Sequence, residues 1–115
     1  MKMFEYMGKE LFTKFGIPVP RGKVARTPGE AAEITAEIGD VVIKSQILSG
    51  KRGKAGGIKF TSNPQEAQEF AGELLGSTLR GLPIEALLVE EKLKIDKEYY
   101  LAITLDRGMR CPVVL

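Results

Sequence analysis

Histidine is absent from the 115 residues, and cysteine occurs once, at Cys111. The first absence excludes His-based triads, imidazole acid-base catalysis, most zinc sites and any phosphohistidine on this chain. The second excludes an intrachain disulfide, in keeping with a reducing compartment. Long apolar runs are missing too. Nothing approaches the roughly 18 residues of a membrane span, and the first residues lack the basic-then-apolar pattern of a secretory signal, so a cytoplasmic location without membrane association is expected. What is present is a globular composition, 43% apolar and 28% charged, rich enough in Val, Ile, Leu and Phe to oppose chain entropy. The length suits one domain, or two small subdomains.

The net charge of +2 conceals a segregation. From Val41 to Gln65 there are five cations (Lys44, Lys51, Arg52, Lys54, Lys59) and no acid, whereas twelve cations face fifteen acids elsewhere. A local anion site fits this better than a broad nucleic-acid surface.

Apolar spacing from Met3 to Phe15 predicts an amphipathic helix that stops at Gly16, and Ile17-Pro18-Val19-Pro20 enforces an extended linker. Thr27-Pro28-Gly29-Glu30 and Asn63-Pro64-Gln65-Glu66 each combine a capping side chain, Pro at the first helical position and a Glu whose carboxylate can return to the cap N–H. They predict helices over 28–38 and 64–75, stopped by Gly39 and Gly76. Short runs of branched residues at Gly22–Ala25, Val41–Gln46, Gly57–Thr61 and Glu85–Glu91 predict strands. The order is β-α-β-β-α-β: an α+β unit with one antiparallel sheet and both helices on one face. After it, Glu98–Leu105 and Met109–Leu115 predict two strands around an Asp106-Arg107-Gly108 turn. The apolar run Val113-Val114-Leu115 gives the expectation that the protein continues.

Three features bear on chemistry. Gly50-Lys51-Arg52-Gly53-Lys54-Ala55-Gly56-Gly57 lets backbone amides approach an oxyanion while cations neutralise it, although a soluble, mobile hairpin loop has the same composition. Its order matches neither the P-loop nor the Rossmann fingerprint. Lys44 follows Val41-Val42-Ile43, so strand period puts it on the face opposite Ile43, free to reach a ligand near the loop or to snorkel at an edge. Ala86–Leu93 emerges into a charged connector ending at Lys97-Glu98, a pattern for a hinge whose backbone meets a planar base; solvated strand-end acids have that pattern as well.

Together Phe4-Glu5-Tyr6, Lys9-Glu10-Leu11-Phe12, Phe15 to Pro20, Lys44-Ser45-Gln46, Arg52 to Gly57, Leu88-Val89-Glu90 and Lys97-Glu98 resemble the N-terminal part of the ATP-grasp acid–CoA ligases, specifically the β subunits of the succinyl-CoA synthetase (ADP-forming) family. The resemblance covers essentially the whole chain. It implies that residues 1–20 belong to a larger lobe, that 21–95 form a lid-like ATP-grasp nucleotide-binding subdomain, and that 96–115 start the second lobe. It also implies ATP as the nucleotide, with Lys44 on its phosphates, the Lys51-Arg52-Gly53 loop over them, Glu90 and the backbone to Leu93 at the base, and Glu98 on the ribose. Mg2+ ligands are expected beyond Leu115. The implied partner is an α subunit carrying the phosphohistidine and the CoA site, in a hetero-oligomer that converts succinate, CoA and ATP to succinyl-CoA, ADP and phosphate; malate- and citrate-using relatives share these motifs. Two positions depart from the family: Lys51 stands where a glycine is usual, and Leu93 where a small or hydroxylated residue is common.

A different class, a small RNA-binding module, shares the β-α-β-β-α-β order. It requires exposed aromatics on its central strands, where Phe60 is the single expected candidate, and its Lys/Arg-Gly-aromatic signature is missing.

Overall fold

The computed structural model describes residues 2–115. The first helix, α1 (Glu5–Lys14), closes with the Gly16 N–H on the Thr13 carbonyl and the Ile17 N–H on that of Phe12. The linker leads into β1 (Gly22–Ala25) and then α2 (Pro28–Ile38), where Thr27 Oγ1 accepts the Glu30 N–H at 3.2 Å. Strands β2 (Val41–Ser45) and β3 (Ile58–Thr61) flank the basic loop, and α3 (Pro64–Leu74) starts with Asn63 Oδ1 accepting the N–H groups of Gln65 and Glu66. Both caps are as expected, but the reciprocal carboxylate bonds are not. Glu30 reaches past the cap to the Arg26 N–H at 2.6 Å, and the Asn63 N–H donates instead to Thr61 Oγ1 at 3.0 Å, because the preceding residues offer better-placed partners.

A short hairpin, β4 (Thr78–Leu79) and β5 (Leu82–Pro83), precedes β6 (Leu87–Glu91). The sequence reading missed this hairpin. Its turn residues Arg80 and Gly81 both have positive φ, the pairing that suits a two-residue connection, but each strand is too short to leave a period. A second hairpin, β7 (Ile103–Asp106) and β8 (Cys111–Val114), follows an irregular segment. Its first strand starts well after Glu98: the ladder runs from Ile103 opposite Val114 to Asp106 opposite Cys111, and Ala102 exchanges backbone hydrogen bonds with Leu115.

The main sheet runs β1-β6-β2-β3, antiparallel throughout. Its central strands are therefore β6 and β2. This corrects the expectation for Phe60, which lies on the edge strand β3; neither central strand carries an aromatic, and the RNA-module reading loses its one candidate stacking residue. Alternation sends Val41, Ile43, Leu87 and Val89 to one face, all fully buried, under α2 and α3. Ala31, Ala67 and Ala71 keep the helix surfaces small there, so both helices approach the sheet and each other closely. Each large aliphatic side chain so buried contributes about 1.5–3 kcal/mol. The buried Thr35 hydroxyl donates to the Ala31 carbonyl at 2.8 Å, whereas the Ser45 hydroxyl, buried at the end of β2, has no hydrogen-bond partner among the described residues.

The other sheet face is aligned by register into two rows, Gly22-Glu90-Val42-Phe60 and Val24-Leu88-Lys44-Ile58. α1 meets it chiefly through polar contacts. The Tyr6 N–H donates to Gln46 Oε1 at 3.1 Å, and no α1 residue is buried, so the apolar stripe of Leu11, Phe12 and Phe15 stays largely exposed. No helix among the described residues is long and apolar enough to cross a membrane.

Candidate functional site

The strand period that buries Ile43 turns Lys44 to the opposite face, and register brings Glu90 of β6 diagonally beside it. Lys44 Nζ lies 2.5 Å from Glu90 Oε1 and 3.0 Å from Glu5 Oε1, the latter supplied by the first turn of α1. The other Glu5 oxygen, Oε2, is 2.6 Å from Arg52 Nη2 in the glycine-rich loop. Lys9, one turn further along α1, pairs with Glu90 Oε2 at 2.5 Å and Glu5 Oε1 at 3.2 Å. Three cations and two carboxylates from four segments thus form one continuous cluster, with Glu90 only 2% exposed.

Burial by itself raises the Glu5 carboxyl, but hydrogen bonds and charge from Arg52 and Lys44 outweigh it and bring the pKa from 4.5 to about 2. Burial likewise works to lower Lys44, and the pairing with Glu90 and Glu5 overcomes it to hold the ammonium above its ordinary 10.5. Both groups are charged across the neutral range. Close packing makes the arrangement possible: a Cβ on Gly22 would sit 2.5 Å from the Glu90 Cβ, so only glycine lets β1 cross beside that side chain.

Beside the cluster a cleft of about 450 Å³ is walled by Val42, Phe60, Leu93, Ile95 and Pro20, with Lys44 and Glu90 at its polar side. Lys92 Nζ lies 5.4 Å from the Phe60 ring centroid, a cation–π contact across its rim. The Glu91 and Lys92 N–H groups are taken by the Arg21 and Asp40 carbonyls. Leu93 is the next residue along, and its N–H has no partner among the described residues.

A second cleft, about 810 Å³, is bordered by Ser49, Gly50, Lys51, Arg52, Gly53 and Glu5. Its loop is ordered by its own bonds: Arg52 Nη1 donates to the Ser45 carbonyl at 2.9 Å, and the Arg52 carbonyl accepts the Gly57 N–H at 2.8 Å. Leu79 of the unforeseen hairpin fills the space where a Gly57 side chain would stand, and Arg80 Nε donates to Ser49 Oγ at 3.2 Å. Lys51 has φ of 60°, so the backbone keeps the conformation glycine favours while the position carries a cation.

Of the residues singled out from sequence, Lys44, Glu90 and Leu93 share the first cleft, while Lys51, Arg52 and Gly53 share the second; Ile58 borders both. Glu98 joins neither and is exposed in the irregular segment after β6. Glu5 and Lys9 had no assigned role. The available signal was their place in the Phe4-Glu5-Tyr6 and Lys9-Glu10 motifs, which helical periodicity alone treats as solvated surface.

A family profile described as an ATP-grasp domain matches residues 2–115. Among curated proteins, the chain is similar to the succinate–CoA ligase [ADP-forming] subunit beta of Methanothermobacter thermautotrophicus, 50% identical over 116 residues that cover 100% of this chain and 32% of the relative. It is 51% identical to that of Staphylothermus marinus over 111 residues, 96% of this chain and 29% of the relative. The succinate–CoA ligase [GDP-forming] subunit beta of Thermus thermophilus is 47% identical over 116 residues, 100% of this chain and 31% of the relative. The chain therefore spans about a third of the length of these relatives. Among solved structures, phosphoribosylamine–glycine ligase from Thermotoga maritima superposes with a TM-score of 0.67 at 23% identity, over 99% of this chain and 28% of that one, a likeness of fold.

Proposed function

The chain belongs to the ATP-grasp family, and from that membership we propose that it is the nucleotide-grasping N-terminal part of an acid–CoA ligase β subunit. The observation that carries the reading is the convergence of Lys44 from a central strand and Arg52 from the glycine-rich loop on one carboxylate, beside an apolar cleft bounded by Glu90 and Leu93. Two cations held on the two oxygens of one carboxylate suit successive phosphate groups, each charge-assisted contact contributing about 1.5–3 kcal/mol. The cleft suits a purine, with the Leu93 N–H directed to the base edge. Lys51 and the Gly53 amide lie over the phosphates, and Glu98 holds ribose hydroxyls once the segment after β6 closes.

In this reading the reaction is that of the relatives: succinate, CoA and ATP give succinyl-CoA, ADP and phosphate, with a phosphohistidine carried by an α subunit that also binds CoA. Relatives named for succinate favour it over malate or citrate. The chain's own residues bind and orient the polyphosphate and stabilise charge as the γ-phosphoryl leaves. They do not suit Mg2+. The carboxylates nearest the proposed phosphate site, Glu5 and Glu90, are held by Lys9, Lys44 and Arg52, and among the described residues no group of three acidic, His or Cys side chains could hold a metal. Its ligands belong to another part of the protein.

The division at about residues 20 and 95 is part of the proposal, as is a cytoplasmic hetero-oligomer. It is supported by the exposed apolar stripe of α1 and by exposed Tyr100, Ile103, Leu105 and Val114, surfaces that suit a second lobe. ATP titration and CoA-ligation assays on the complete protein, with and without Lys44→Ala, test the function. Unchanged nucleotide affinity in the variant would remove its basis.

A further inference from the structure

We propose that Glu5 is a positioning residue of the phosphate site, one carboxylate oxygen holding Lys44 and the other holding Arg52, so that a cation on the sheet and a cation on the loop keep a fixed separation. This rests on reading Lys44 and Arg52 as the phosphate-binding pair. The two residues belong to different segments, a strand and a loop joined through residues 45–51, and the Glu5 bridge is a direct side-chain link between them. Arg52 in turn carries the loop, because its guanidinium grips the Ser45 carbonyl and its own carbonyl receives the Ala55 and Gly57 amides. Displacing that side chain therefore displaces the backbone of the loop.

A carboxylate beside two phosphate-binding cations would, by charge alone, oppose an anionic ligand. The geometry points the other way. The Glu5 charge is already met by Lys9, Lys44 and Arg52, leaving a cluster with three cations against two carboxylates and a net positive charge. Lys44 has three ammonium donors and two carboxylate partners, and Arg52 keeps guanidinium N–H groups beyond those bonded to Ser45 and Glu5, so each retains a donor for a ligand. Without Glu5, Lys44 keeps Glu90 and Arg52 keeps the Ser45 carbonyl, but each loses one of its two anchors, and the rotamer freedom so regained must be removed by a polyphosphate on binding. Pre-organisation is the larger effect, because the repulsion it is set against is largely neutralised.

The test uses the complete protein and three probes: ATP, inorganic tripolyphosphate and adenosine. Glu5→Gln is expected to weaken tripolyphosphate and ATP by about tenfold, to leave adenosine unchanged, and to cost nothing further in an Arg52→Gln background, because coupled residues are non-additive. Glu10→Gln, an exposed neighbour on the same helix, is expected to change none of the three. Tighter or unaltered tripolyphosphate binding by Glu5→Gln overturns the proposal, as does an equal loss in the Arg52→Gln background. Loss of adenosine affinity in Glu5→Gln also overturns it, since Glu5 would then support the whole cleft. If Lys44→Gln and Arg52→Gln leave tripolyphosphate affinity intact, the phosphate-site reading itself fails.

Discussion

Glu5 in the first helix and Arg52 in the glycine-rich loop form an ion pair of 2.6 Å, although helix periodicity alone would leave Glu5 on a solvated surface. The pair gives the protein an acid-sensitive joint. The folded Glu5 carboxyl is depressed from 4.5 to about 2, so its contribution to stability is fully present above pH 4.5 and is lost as the pH falls toward 2. Urea unfolding of the complete protein across that window should show a shallower pH dependence for Glu5→Gln than for the unchanged protein. Parallel curves would mean that Glu5 titrates alike in both states.

Lys44 and Lys59 make a matched comparison. Lys44 faces Glu90 and the cleft, whereas Lys59 lies on the helix-covered side with its ammonium 5.7 Å from the Phe70 ring centroid. Lys44→Ala should weaken ATP binding by roughly tenfold or more, and Lys59→Ala by little. Titration calorimetry on the complete protein measures both; equal losses would indicate a diffuse basic surface.

Gly57 is expected to be intolerant of even one methyl group. A Cβ there would overlap the buried Leu79 side chain and lie 3.2 Å from the Arg52 carbonyl oxygen. Gly57→Ala should destabilise by about 1–3 kcal/mol, the usual cost of overpacking. Combining it with Leu79→Ala should recover part of that cost, which denaturant unfolding of both variants will measure. Strict additivity would remove the Leu79 contact as the cause.

Pro20 borders the proposed base cleft and offers neither a donor nor an acceptor side chain to read the exocyclic groups of guanine. ATP should therefore be preferred over GTP in kcat/KM, by a modest factor. A clear GTP preference would count against Pro20 as a selector. The GDP-forming Thermus relative makes the comparison pertinent.

The 115-residue chain alone should bind ATP weakly and form no acyl-CoA. It has no histidine to carry a phosphoryl group, and its nearby carboxylates are paired with cations rather than disposed for a metal. ATP-dependent CoA ligation by the purified chain, or nucleotide affinity equal to that of the complete protein, would contradict this.

Short-range physics explains what was legible along the chain. Thr27 and Asn63 announce their helices because a capping side chain acts within three residues, and α2 begins and ends where its flanking Pro28 and Gly39 require. Period two was enough to turn Lys44 away from Ile43, and glycines interleaved with cations marked the loop. Distance hid the rest. The order β1-β6-β2-β3 depends on which strand edges find each other, which no local pattern encodes, and it moved Phe60 from a presumed centre to an edge. The hairpin at Arg80-Gly81 was invisible because its strands are two residues long, yet its Leu79 packs beneath the loop. Glu98 stands at the expected spacing after β6, but the segment that carries it is irregular and leaves it exposed and outside the cluster. Lys9 with Glu90 and Glu5 with Arg52 arise only when α1 crosses the sheet face, because charge pairing is selected by separation in space, and residues far apart in sequence acquire that separation through folding alone.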